Sequence, residues 1–164
     1  MKSKQARKIV DEARSGKNPI DDLIQLALYH GNQLVRAYAI WELTDFASLK
    51  VYEVITNCFD ETETIKVQIM AAKACGKLKI KGAVQKLVCG LNQSPDYRIV
   101  SAILRALAVI GDPSAIEPIK DFIFHQRQLF IGDLRLAAET IGILTLVEKG
   151  VNMPKDLDLY VLWN

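Results

Sequence analysis

Three helix-sized segments of this chain carry one apolar pattern at a fixed spacing of 32 residues. Val35-Arg-Ala-Tyr-Ala-Ile-Trp-Glu-Leu43 can be set above Val67-Gln-Ile-Met-Ala-Ala-Lys-Ala-Cys75 and Ile99-Val-Ser-Ala-Ile-Leu-Arg-Ala-Leu107. Val35, Val67 and Ile99 then fall in register, as do Ala39, Ala71 and Ile103, and Leu43, Cys75 and Leu107. The register survives into a second helix, where Val51, Ala83 and Ala115 align, then Ile55, Leu87 and Ile119, then Phe59, Leu91 and Ile123. A two-helix unit of this size cannot bury both apolar stripes alone, so the units must stack on one another and share a core. The spacing predicts an all-α solenoid.

Extended backwards, the register aligns Leu23 with Ile55 and Ala27 with Phe59, giving a first unit of a charged helix around 4–14 and a second helix over 20–29. Pro19 is placed to open that second helix, where its missing N–H costs nothing. Gly16 and Gly31 stand where helices should stop. Beyond Ile123 the register slips by two residues across 125–133 and resumes at Ala137-Ala-Glu-Thr-Ile-Gly142, a helix expected to reach Lys149 and close at Gly150. This makes about five two-helix repeats in a single domain over 1–164, with 153–164 as an irregular C-terminal cap.

Composition narrows the class. Half the chain is apolar and 24% is charged, which argues against disorder, and 164 residues can bury a core. The formal charge of +2 is too small to imply nucleic acid or an anionic membrane as the partner. No apolar run approaches the roughly 18 residues of a membrane span, and Lys2, Lys4, Arg7 and Lys8 do not lead into a signal-like apolar stretch. Cys58, Cys75 and Cys89 show no Cys-x-x-Cys spacing and read as core packing in a reducing cytoplasm.

The segment Ala106-Leu-Ala-Val-Ile-Gly-Asp-Pro-Ser-Ala-Ile116 resembles the short HEAT-type repeat, also called the phycobilisome-lyase HEAT-like repeat. Val35-Arg36, Gly76, Gly142 and the Gly111-Asp112-Pro113 turn match that pattern, whereas Asp45-Phe-Ala-Ser48 and Lys79-Ile-Lys-Gly82 depart from it. The resemblance implies a right-handed α–α superhelix whose second helices line the concave surface. On those helices the outward positions include Asp21, Lys50, Glu53, Asn57, Asp60, Gln85, Cys89, Glu117, Asp121 and Phe124. The groove so implied is mildly acidic. Glu53, Asn57, Gln85, Glu117, Asp121 and Phe124 are the expected partner contacts, with Phe124 as the apolar anchor. The first helices present Lys66, Lys73, Lys77, Arg98, Arg105 and Arg135, a basic stripe expected on the convex side with Trp41 in its register.

Chemistry is scarce. His30 and His125 stand in no metal-ligand spacing, and no phosphate-cradling loop or nucleophile elbow occurs, so neither cofactor nor metal is expected. HEAT-type hydroxylases carry iron on His-Glu pairs, and the chain has no such dipeptide. Enzymes of this class that remove alkylated DNA bases use a basic concave groove, unlike the acidic one expected here. The expected function is a non-enzymatic scaffold that binds a protein partner in the groove. The resemblance implies an alternative, a bilin lyase-like factor for chromophore attachment to phycobiliproteins; nucleic acid on the convex basic stripe is a further one. Leu157, Leu159, Tyr160, Val161, Leu162 and Trp163 are expected either to cap the core or to mediate a homodimer.

Overall fold

A computed structural model describes residues 2–125 and 131–152. The expectation for the apolar segment from Leu157 to Trp163 falls outside those residues. Nine α-helices are described: α1 Ser3–Arg14, α2 Pro19–Tyr29, α3 Gln33–Leu43, α4 Leu49–Cys58, α5 Ile65–Lys77, α6 Val84–Gln93, α7 Tyr97–Ile110, α8 Ile116–His125 and α9 Ile131–Glu148. Short 3₁₀ turns, Lys81–Ala83 and Pro113–Ala115, lead into α6 and α8. Pro113 thus opens a 3₁₀ turn rather than the helix itself, and its Asp112 cap accepts from Ser114 N–H at 3.0 Å.

The helix starts follow the same period as the core. Asn32 and Asp96 cap α3 and α7 through side-chain oxygens 2.9 Å from the N–H groups of Leu34 and Arg98, and Thr64 stands at the matching position before α5. Ser48 caps α4 by accepting from Val51 N–H at 3.3 Å. A helix end explains one of the two departures from the repeat pattern, the one at Lys79-Ile-Lys-Gly82. Gly111 takes the left-handed conformation with φ 70°, and Lys79, one period earlier, takes it with φ 51° although it is not glycine. Ile80 N–H bonds back to Cys75 C=O at 3.0 Å and its side chain is buried, which offsets the strain at Lys79.

Every aligned core position from Leu23 through Ile119 is fully or nearly buried, so the apolar register is the core. Val35, Val67 and Ile99 lie between the two layers, as do Ile55, Leu87 and Ile119. Cys75 is buried, and loss of solvation pushes its thiol up to about 12; Cys58, also buried, is pushed up to about 11 for the same reason. Cys89 is exposed on α6. A thiol-specific disulfide reagent at pH 8 is therefore expected to titrate one sulfhydryl rapidly and two only on unfolding. Loss of the fast phase in Cys89→Ser checks the assignment.

Four aspartates hold the helix ends and interhelix contacts, and all are shifted down from the ordinary 3.8. The Thr62 hydroxyl and N–H bond Asp60, the Arg98 guanidinium bonds Asp96, and Ser114 bonds Asp112. Burial raises Asp45, but Lys77 and Arg14 outweigh it. A depressed native value means that stability is present above the unfolded value and is lost as pH falls through the native ones. Urea midpoints should be level down to about pH 4 and then fall, with a smaller fall in Asp96→Asn.

Candidate functional site

The two layers differ in spacing. Helices α1, α3, α5, α7 and α9 pack against their successors along their length, whereas α2, α4, α6 and α8 approach theirs only briefly. Small residues allow this: Ala37, Ala71, Ala72, Ala74, Gly76, Ala102, Ala106 and Ala108 are all buried in the closely spaced layer. A stack with unequal spacings bends toward its tighter side, so the odd-numbered helices line the concave surface. This corrects the layer assignment drawn from the resemblance. Glu53, Asn57, Gln85, Glu117, Asp121 and Phe124 are each exposed, and they stand on the even helices α4, α6 and α8, the outer layer by this spacing. That surface is also less acidic than expected, because Lys50 bonds Asp21 at 2.6 Å and Lys120 bonds Glu117 at 2.6 Å. Phe124 is 83% exposed, with the His125 ring edge-on at 5.3 Å.

The inner face divides into two halves. Across α1 and α3 the charges are matched: Arg14 bonds Glu42 and reaches Asp45 at 2.8 Å, and Arg7 lies over the Tyr38 ring at 5.4 Å. Lys77 of α5 joins this ladder, donating to Thr44 Oγ1 at 2.7 Å and to Asp45 at 3.2 Å, with its ammonium 4.6 Å from the centre of the Trp41 ring. Trp41 is half-buried there, beneath the Lys77 ammonium. Further along, the face turns cationic. Helices α5 and α7 carry Lys66, Lys73, Lys77, Arg98 and Arg105 and no acidic residue. Arg98 is held by Asp96 at 2.7 Å, just before α7. Trp41, Lys73 and Arg105 occupy one register position on successive inner helices. With the layers exchanged, charge no longer argues against an anionic ligand in the groove.

Behind the inner face, Arg36 ties three segments together. Its Nε donates to Ala27 C=O at 2.8 Å at the end of α2, while its terminal nitrogens grip both oxygens of Glu63 ahead of α5. Sequence reasoning used Arg36 only as part of the repeat pattern. One period later Gln68 takes up part of the same task, donating to Glu63 C=O at 2.8 Å.

A cleft of about 690 Å³ opens at the edge where even helices turn into odd ones, lined by Phe59, Asp60, Glu63, Lys86, Cys89 and Asp96 among others. Among the described residues no group of three or more His, Cys, Asp and Glu side chains could hold a metal ion. His30 accepts from Asn32 N–H at 3.0 Å, and His125 Nδ1 lies 2.8 Å from Asp121 C=O, so both histidines finish helix ends. No described helix is long and apolar enough to cross a membrane.

Comparison with known proteins agrees with this architecture. The bilin biosynthesis protein PecE of Mastigocladus laminosus is 30% identical over 113 residues, which cover 62% of this chain and 40% of PecE. The chain thus spans well under half of that relative. Among solved structures, the complex of CpcE and CpcF of phycocyanin lyase from Nostoc sp. PCC7120 matches with a TM-score of 0.63 and 18% identity, covering 91% of this chain and 68% of the matched one. At that identity the likeness is one of fold. A family model described as HEAT repeats matches residues 20–97 and again 53–127, spanning most of the core register. The chain belongs to the HEAT-repeat family.

Proposed function

We propose that this chain is a bilin-handling factor that works with a protein partner in attaching or isomerising an open-chain tetrapyrrole on an acceptor protein. The sequence relationship to PecE carries this reading, and the likeness to a structure of a two-protein lyase complex supports the partner. The scaffold role is the coarser form of the same idea: a rigid, preformed surface loses little ordering entropy on association. The test is an attachment assay with a bilin and an apo-phycobiliprotein, with the chain present or omitted. Faster appearance of covalently held, visible chromophore on the acceptor is expected with the chain. Identical rates in the presence of the partner protein would sink the proposal.

The protein-contact surface in this reading is the outer row of Glu53, Asn57, Gln85, Glu117, Asp121 and Phe124. An exposed Phe beside carboxylates suits an anchor ringed by steering charges. Charge reversal of Glu53 and Glu117 should weaken partner binding and leave the melting temperature unchanged, since both side chains are exposed. Unaltered binding at physiological salt would remove this surface from the account.

A further inference from the structure

On α5 and α7 the row of residues facing the next inner helix is wholly buried: Gln68, Ala72 and Gly76 on one, Val100, Leu104 and Ala108 on the other. Two contacts fix its direction. Thr140 Oγ1 of α9 reaches Leu104 C=O on α7 at 3.3 Å, and Arg36, one period before Gln68, grips Glu63 ahead of α5. With the two-residue slip, the same row on α9 is Leu134, Ala138 and Gly142, and one further turn adds Leu146. All four are exposed, Leu134 at 38% and Leu146 at 43%. Among the described residues no helix follows α9. A Cβ added at Gly142 would meet nothing within 4 Å, so no described contact demands the glycine, which weakens a helix interior. The other end of the stack differs. The exposed side of α1 carries Lys4, Lys8, Asp11 and Glu12, and a copy added with its α1 on α9 would strand those charges.

We infer that the α9 row docks on the α9 row of a second copy, the two helices antiparallel about a two-fold axis at Gly142. Residues equally far from Gly142 then oppose each other: Leu146 lies over Ala138 of the other copy, and Leu134 over its Gly150. Large meets small along the row, and glycine at the centre lets the backbones approach, as small residues do within the inner layer. Arg135 and Lys149 of the other copy also oppose, and Glu139, 3.6 Å from Arg135, offsets their repulsion. One helix face is a small interface, so the dimer is weak and depends on concentration. Pairing through α9 is independent of the bilin reading and leaves the even helices free.

Sedimentation equilibrium of the full chain, from low micromolar to submillimolar concentration, tests the pairing. The weight-average mass should rise from that of one chain toward that of two. Gly142→Gln places a better helix former in open space and should weaken association by about tenfold or more. Gln25→Ala, on α2, serves as the control and should associate as wild type. In a Cys89→Ser background, Gly142→Cys should cross-link to itself with a short bismaleimide, since the two-fold axis passes through that position. A single-chain mass at every concentration would overturn the pairing. So would undiminished association of Gly142→Gln, or a missing cross-link in a chain that dimerises. A lower melting temperature of Gly142→Gln in dilute, monomeric solution would do the same, because the row would then be covered within the chain.

Discussion

Arg36→Ala is expected to destabilise the chain by about 3 kcal/mol, a melting decrease of roughly 6–12 °C for a protein of this size. The side chain is 17% exposed and its Glu63 partner 20%, so the pair is largely withdrawn from water. Removing the guanidinium strands the Glu63 carboxylate and leaves Ala27 C=O without its 2.8 Å donor. Losing one member of a desolvated pair costs more than the pair contributes, because the surviving charge keeps its desolvation cost. Arg36→Lys should recover little, since one ammonium cannot serve a forked carboxylate and a carbonyl on another segment together. A loss under about 1 kcal/mol in urea unfolding would show that Arg36 is not a structural clamp.

Gly90→Val is expected to cost a similar amount, about 3 kcal/mol, for the opposite reason: too much volume. A Cβ at position 90 would stand 2.6 Å and 2.7 Å from the Phe59 ring carbons Cε1 and Cζ. Phe59 is 4% exposed, so its ring cannot step aside without leaving the core. A glycine in a helix interior costs roughly 1 kcal/mol relative to alanine, and α6 accepts that cost to seat the ring. Gly90→Ala therefore sets a propensity gain against the clash and should still lose about 1–2 kcal/mol. Combining Gly90→Ala with Phe59→Leu should cost clearly less than the two single changes added together. Strict additivity would mean that the two positions do not touch.

Most of the core was legible in the sequence because burial in a repeat stack follows one period. Alignment alone places Val35, Val67, Ile99 and their companions, and all are buried except Ile123, which is partly buried. The recurrence of Asn32, Thr64 and Asp96 at helix starts was equally available in the sequence, and it would have fixed the boundaries more tightly. The direction of curvature was the misreading. It was drawn from resemblance, although the alanines of the odd helices already marked the layer able to pack closest, which is the inner one. Lys79 escaped notice because a left-handed lysine is held by its neighbours, here the Ile80-to-Cys75 hydrogen bond. The Arg14–Glu42–Asp45–Lys77 ladder depends on long side chains reaching between units, which spacing along the chain does not determine. The register predicts an outward-facing Phe124 and the residue is exposed, yet exposure does not say which face of a curved stack it occupies.

The proposal that the chain handles a bilin is tested most directly by titrating the full chain with biliverdin and following visible absorption. A saturable change in the absorption band is the predicted result. A spectrum unchanged by the chain at any biliverdin concentration would contradict it.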